Sequence, residues 1–290
     1  MNYLIYKYKH YFFLLLGSCF LIFNNSCEEI GPAIDFTPVD TSLVDTTYQT
    51  DSIFTPQNRV VLLEDFTGQL CPNCPAAHEI IADIVDEHGD NVANIAMYNY
   101  FADESSQLAY VIDEAIELGD YLGPIIGWPI GAVNRKDFGS GILQPKELYS
   151  TYTDSELLIT PSCNISMTYG YNFTTRKLNV FVTVKYLDTI TTVNHLSVAI
   201  CENGIIDFQH DELGEIPDYT HNHVLRKMLT LATGTELSAT NEPGRLYRKE
   251  FAITLPDDWV KENLEVIAYV HNYEADNKEV LQTAIIHLED

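Results

Sequence analysis

Hydrophobic and polar positions divide the chain into stretches of different period. Tyr11–Phe23 (YFFLLLGSCFLIF) is a short apolar run behind a start carrying Lys7 and Lys9. Glu28 to about Asn58 has no sustained period; it holds Pro32, Pro38 and Pro56 among many Thr and Asp, the composition of a tether. Val60–Leu63 is continuously apolar, which predicts a strand covered on both faces. From Ala76 the apolar positions Ala77, Ile80, Ile81, Ile84 and Val85, with His88, recur at helical spacing, opposite Glu79, Asp83, Asp86 and Glu87, and Gly89 supplies a stop. An apolar strand (Val92–Tyr100), a helical stretch (Ser105–Leu122) and a closing helix (Pro145–Leu158) follow.

Past Pro161 the period changes to two. Asn164–Tyr171, Leu178–Tyr186, His195–Glu202, Leu246–Leu255, Leu264–Asn272 and Val280–Leu288 read as strands, with clear alternation in Leu178–Val184. The pattern therefore predicts residues 1–26 as a leader, 27–58 as an acidic flexible tether, 59–158 as an α/β domain and 159–290 as an all-β sandwich of immunoglobulin-like or jelly-roll type.

The leader settles the compartment. A basic start, a short apolar core and a small residue before a cut describe a secretory signal, and the apolar run falls short of the roughly 20 residues of a membrane span. Asn24-Asn25-Ser26-Cys27 followed by Glu28-Glu29 resembles a bacterial lipoprotein signal, in which Cys27 becomes the acylated first residue. Cys19, in Leu-Gly-Ser-Cys, is the competing position, but a cut there leaves Phe20–Phe23 exposed. An uncleaved anchor and an ordinary signal peptide also export the chain, so disulfides are permitted under each reading. The acidic residues after Cys27 resemble surface-export signals of Bacteroidetes lipoproteins. Asp45-Thr46-Thr47 and Asp51-Ser52-Ile53 resemble the O-glycosylation sequon of that phylum, against the plainer reading of a polar linker.

Charge removes one class of partner. The formal net charge is −26, and Lys7 and Lys9 both lie in the leader. Such a surface repels nucleic acid and anionic headgroups, and solubility explains it better than steering toward a basic partner.

The candidate chemistry lies between the first strand and the first helix, in Cys71-Pro72-Asn73-Cys74-Pro75. Pro72 and Pro75 fit a first helical turn, where a missing N–H costs little. Cys71 is then expected at the helix N-terminus, where free amides and the dipole favour a thiolate, with Cys74 one turn on. Half of a zinc site is the alternative; no second C-x-x-C or H-x-x-H follows in this domain, and export favours oxidation.

In this context Asp65-Phe66-x4-Cys71-Pro72-Asn73-Cys74 resembles the active-site segment of the thioredoxin superfamily. The resemblance implies a thioredoxin-like fold for 59–158, Cys71 as nucleophile, Cys74 as resolving cysteine and Asp65 as buried proton acceptor, with Glu64 competing from the opposite strand face. It also implies a cis-proline opening a later strand, for which Pro129 in Gly127-Trp128-Pro129-Ile130 is the candidate. Leu70 stands where thioredoxins usually have Trp, and Pro-Asn between the cysteines is closer to glutaredoxin and oxidase types.

Over most of the chain the resemblance is to the Omp28-like outer-membrane lipoproteins of Bacteroidetes. Val61–Gly68 with the cysteine motif, Pro129…Asn134-Arg135, and Tyr219–Arg226 carry it. It implies an envelope location at the outer membrane, reached through the lipid on Cys27.

The sequence leaves two readings of the second domain's cysteines, Cys163 and Cys201: a structural disulfide or two buried thiols. His221 and His223, with His210, Asp211 and Glu212 upstream, are read as hydrogen-bonding loop or strand residues in preference to a metal site; no cofactor is called for. Two functions stand against each other. One is thiol–disulfide exchange on exported proteins, which would make the chain an oxidoreductase. The other is a non-catalytic binding or assembly lipoprotein in which Cys71–Cys74 is a permanent clip.

Overall fold

The computed structural model describes residues 43–99 and 110–289. The expected leader, Cys19, the lipidation site Cys27 and the first part of the tether lie outside the described residues.

In chain order the elements are strand β1 (Asp45–Gln49), β2 (Val61–Thr67), helix α1 (Cys74–His88), β3 (Val92–Tyr98), α2 (Asp113–Leu122), β4 (Ile130–Val133) and α3 (Tyr149–Leu157). Then come strands β5 (Cys163–Asn172), β6 (Lys177–Tyr186), β7 (Asn194–Glu202), β8 (Ile205–Asp211), β9 (Gly214–His221) and β10 (Val224–Met228). The short β11 (Thr235–Glu236), β12 (Arg245–Thr254), β13 (Leu264–Asn272) and β14 (Val280–His287) complete the order.

The strands form mixed sheets. An eight-stranded sheet runs β14-β13-β7-β10-β3-β2-β4, with β11 attached to β7. Its β10-β3 and β2-β3 pairs are parallel, and β4 is antiparallel to β2. Every residue of β2 and β3 is buried, as continuous apolar runs in a doubly covered sheet require. Val61 and Leu63 meet Ile81 and Ile84 of α1 and Tyr149 of α3 on one face. Leu62 and Phe66 meet Ala115 and Leu118 of α2 on the other.

A four-stranded sheet, β1-β12-β6-β5, covers the far part of the large one. Its Leu178, Val180, Val182 and Val184 share a core with Leu196, Val198 and Ile200 of β7 and Val266, Ala268 and Val270 of β13. Alternation along β6 records that arrangement, one set of positions buried and the next turned outward.

The structure differs from the sequence reading in three places. The boundary expected at 158/159 falls after α3, but the large sheet runs through it: β10 and β7 continue from β3. Backbone bonds add to the continuity, with Val280 N–H donating to the Asn134 carbonyl at 2.8 Å. Second, the expected tether already carries β1, which pairs with β12 from Asp45 to Gln49; Gln57 N–H then donates to Asn164 Oδ1 at 2.9 Å. Third, the first residue of α1 is Cys74, with Asn73 at its cap. Cys71 lies in the preceding turn, held by Cys74 N–H donating to the Cys71 carbonyl at 3.2 Å.

Candidate functional site

Strand β2 delivers the chain into the loop Gly68–Asn73, and the loop delivers it into α1. Cys71 and Cys74 are joined as a disulfide, with their Cα atoms 5.4 Å apart. The Trp128–Pro129 peptide is cis. Pro129 immediately precedes β4, whose Ile130 pairs with Phe66, so Pro129 stands at the end of β2 from which the cysteine loop departs.

Alternation along β2 separates its two acids. Asp65 shares the α1 and α3 face with Val61 and Leu63; Glu64 shares the α2 face with Leu62 and Phe66. Asp65 is fully buried. Tyr149 Oη donates to its Oδ1 at 3.2 Å, while Oδ2 has no hydrogen-bond partner among the described residues. Tyr149 reaches Asp65 by crossing Gly131, where a Cβ would lie 2.5 Å from the phenol oxygen and 2.4 Å from the Glu64 carbonyl. Loss of hydration pushes the Asp65 carboxyl up to about 8 against the Tyr149 bond, which acts the other way.

His78 lies 3.8 Å from Asp65 Oδ2. It follows Cys74 by four residues, one turn along the same helix face. Its Nε2 is 2.8 Å from Thr67 Oγ1 and its Nδ1 is 2.9 Å from Tyr219 Oη. Burial first, then His221 and His223, lowers its pKa to about 4. Near neutrality Asp65 and His78 thus face each other uncharged, a protonated carboxyl beside a neutral imidazole.

Glu64 is fully engaged elsewhere. Arg135 Nε and Nη2 donate to its two oxygens at 2.7 and 2.6 Å, and Nη2 also donates to Tyr269 Oη at 2.7 Å. Both charged side chains are wholly buried. Burial is the largest influence and lowers the Arg135 pKa, but Glu64, Tyr269 and Tyr121 together outweigh it, and the net shift is upward. Asn134 supports the same corner: its Oδ1 accepts from Leu62 N–H at 2.9 Å and its Nδ2 donates to Glu156 at 3.0 Å. Asn134 and Arg135 thus brace this corner, and of the two acids it is Asp65 that keeps an oxygen without a hydrogen bond among the described residues.

The sequence reading places Cys71 as an exposed nucleophile. In the structure it is 2% exposed and Cys74 is wholly buried. The cover is the antiparallel hairpin β8–β9. Gln209 Nε2 donates to the carbonyls of Gly68 and Cys71, each at 3.2 Å. His210 N–H donates to the Gln69 carbonyl at 2.7 Å, and Gln69 Nε2 donates to the Phe208 carbonyl at 3.1 Å. Further hairpin contacts are the Tyr219–His78 bond, Tyr98 Oη to His221 Nδ1 at 2.7 Å, and Tyr110 Oη donating to Asp207 at 2.8 Å.

The remaining candidates stand apart. Cys163 and Cys201 are free buried thiols, not a disulfide. They fall in different cores, Cys163 between the two sheets and Cys201 on the α2 face of the large one. Burial raises both, Cys163 to about 12, so neither is a ready thiolate. His221 Nε2 is 3.2 Å from the Phe208 carbonyl, and His223 Nδ1 is 2.7 Å from Glu265. His210 lies 3.6 Å from Glu215. His78, Tyr149, Tyr219 and Gln209 complete the site without having been read from the sequence; for His78 the four-residue spacing from Cys74 is the available signal.

The family model described as outer membrane protein Omp28 matches residues 123–288. Among solved structures, HBP35 of Porphyromonas gingivalis superposes with a TM-score of 0.66 at 21% identity, covering 80% of this chain and 76% of that one. A protein from Agrobacterium tumefaciens gives a TM-score of 0.50 at 13% identity, covering 81% and 97%. A domain of the outer membrane lipoprotein Omp28 from P. gingivalis is 18% identical, covering 44% of this chain and 89% of that one, with a TM-score of 0.30. At such identities HBP35 and the A. tumefaciens protein share the fold alone with this chain. No curated protein matches it.

Proposed function

The chain belongs to the Omp28 family of outer membrane proteins, and from that premise we propose that it is a lipid-anchored envelope protein whose Cys71–Cys74 pair exchanges disulfides with exported proteins. Its location is the outer membrane. The anchor of the proposal is Cys27, in the lipoprotein-like context of the leader.

The observation that carries the exchange reading is Asp65. A wholly buried carboxyl with one oxygen unpaired costs stability, and a purely structural clip has no use for it. A carboxyl that titrates near neutrality suits proton transfer to and from a cysteine sulfur. The thioredoxin-like reading draws further support from the order β2-α1-β3-α2-β4-α3 and the parallel β2-β3 pair.

The step balances without a cofactor. Cys71 thiolate attacks one sulfur of a client disulfide, forming a mixed disulfide and releasing the client's other thiolate. The ionised form of Asp65, present in part near neutrality and in full above about pH 8, takes the Cys74 proton. The resulting thiolate attacks the Cys71 sulfur and displaces the client's second sulfur as a thiolate, which regains its proton from Asp65. The client leaves with both thiols, and Cys71–Cys74 is oxidised by two electrons. Run backwards, the same sequence oxidises a client dithiol. Either direction requires the β8–β9 hairpin to lift from Cys71.

The burial of Cys71 also favours a second reading, a permanent clip in a binding or assembly lipoprotein. Substitution Cys74→Ala separates the two. Exchange predicts client proteins trapped on Cys71 as reducible adducts, absent from the Cys71→Ala/Cys74→Ala chain. Recovery of no adduct under both oxidising and reducing conditions contradicts exchange.

A further inference from the structure

Two of the bonds that seat the β8–β9 hairpin run through imidazoles. His221 of β9 has its Nδ1 2.7 Å from Tyr98 Oη of β3 and its Nε2 3.2 Å from the Phe208 carbonyl of β8. A carbonyl can only accept, so the ring proton sits on Nε2, and Nδ1 accepts from the Tyr98 hydroxyl. His221 is 1% exposed and Tyr98 2%. Aromatic rings surround the imidazole: Tyr219 with its centroid at 4.9 Å, and Tyr98 and Tyr110 at 5.7 Å. On the α1 side the second imidazole, His78, is engaged through both nitrogens, by Thr67 of β2 and by Tyr219 of β9. Lifting the hairpin parts His221 from Tyr98 and His78 from Tyr219, and water reaches both rings.

This seat suits neutral rings. A proton on His221 Nδ1 turns that atom from acceptor to donor, and the buried Tyr98 hydroxyl loses the group it donates to. The surrounding charges do not make up for this. Asp207 of β8 is the carboxylate that acts on His221, and it already accepts from the Tyr110 hydroxyl. Beside His78 stands Asp65 of β2, which holds its own proton up to about 8. Glu79 of α1 is exposed to water, and His223 faces Glu265. Burial is the largest influence on both histidines; it lowers His221 against the pull of Asp207 and brings His78 to about 4. In an open hairpin each ring returns toward its ordinary value of 6.5. Below that value the open form binds protons that the closed form lacks, so closure is strongest above it and weakens as pH falls.

We propose that the β8–β9 hairpin is an acid-released lid, with His221 as its trigger and His78 as its second titrating contact, so that mild acid opens Cys71–Cys74 to reaction. As regulation of disulfide exchange this rests on the exchange reading; the release itself does not.

The reporter is the His210 amide, which donates to the Gln69 carbonyl between hairpin and cysteine loop and is freed when the hairpin leaves. Its hydrogen exchange in the oxidised, intact chain is followed by NMR at pH 7.5 and 5.5, as a protection factor against the chemical rate at each pH. Each histidine that opening hydrates should lower this factor by about tenfold over the interval. A loss of about ten- to a hundredfold is therefore expected, while the amides of β13 keep their protection. His221→Gln retains a donor for Phe208 and an acceptor for Tyr98 without a titrating ring, and should cancel about tenfold of the loss. Adding His78→Gln should leave the profile flat. Asp65→Asn, measured in parallel, removes the opposite effect of an Asp65 that ionises on opening. A flat profile in both the parent and Asp65→Asn chains, an equal loss in β13, or a loss unchanged by the two histidine substitutions would each overturn the proposal. The parent and Asp65→Asn profiles decide the matter if a glutamine variant does not fold. Acid release together with a reduction potential in the structural range would contradict exchange alone, and a flat profile with a working potential would contradict release alone.

Discussion

Asp65 and Glu64 are neighbours in sequence with opposite fates. Glu64 is held by the guanidinium of Arg135, and its burial is tolerable only because the pair is bidentate and further bonded to Tyr269. Among the described residues Asp65 has only the long hydrogen bond from Tyr149, and its burial holds the proton on up to about 8. The sign of the consequence follows from linkage. An Asp in the unfolded chain ionises near 3.8, so between that value and about 8 the native state binds a proton that the unfolded state has lost. Stability is full below this window and falls as pH rises through it. Asp65→Asn removes that dependence. Measured by urea denaturation between pH 6.5 and 8, where the unfolded-state titration of His78 near 6.5 is common to both chains, the variant should gain on the parent by up to about 1.4 kcal/mol per pH unit. Parallel pH profiles for the two chains would show that Asp65 is ionised in the native state. The strand alternation that put these acids on opposite faces was legible in the sequence. Which of them stayed unpaired was not, because Arg135 and Tyr149 reach them from 71 and 84 residues away.

At the scale of elements, the β8–β9 hairpin decides access to the disulfide. Gln209 is its fastening, with one amide donating to Gly68, Cys71 and His210 carbonyls. Gln209→Ala leaves these acceptors without that donor and should weaken the closed position by about 1–2 kcal/mol. Reduction of Cys71–Cys74 by dithiothreitol, followed by thiol alkylation, should then run roughly 5- to 30-fold faster if the hairpin opens locally before reaction. An unchanged rate would mean that opening does not limit access. This element was invisible to pattern reading, which named no strand between Glu202 and Leu246. Its strands show no alternating apolar set, Pro217 interrupts β9, and its attachments to the cysteine loop and β3 are mostly polar. The six strands named in the β-rich half were legible because one side of each faces a core. The buried state of Cys71 was not, since its cover comes from about 140 residues downstream.

For the molecule as a whole, the large sheet joins what the sequence divides. β3 has β2 on one side and β10 on the other, Arg135 bonds Tyr269, and Arg59 Nη2 donates to the Val280 carbonyl at 2.7 Å. A fragment ending at Leu158 would expose the β3 edge, strip the cover from Cys71 and leave Arg135 without Tyr269. Such a fragment should show no cooperative urea transition by circular dichroism, whereas residues 43–290 should unfold in one. A fragment that folds cooperatively would establish 59–158 as autonomous. The change of period at Pro161 is real, since helices end there and long strands begin. Period reports local structure, however, and cannot show that strands from both sides of the change share one sheet.

The same continuity makes the cysteine pair a property of the whole fold, with its acid on β2, its imidazole on α1 and its cover from the distal half. The most direct test of its role is the reduction potential of Cys71–Cys74 in residues 43–290, from equilibration with glutathione and quantitative alkylation. Exchange predicts a value between about −120 and −270 mV, the span of working dithiols. A potential below about −300 mV, where structural disulfides resist the glutathione pool, would contradict exchange and leave a clip under a hairpin.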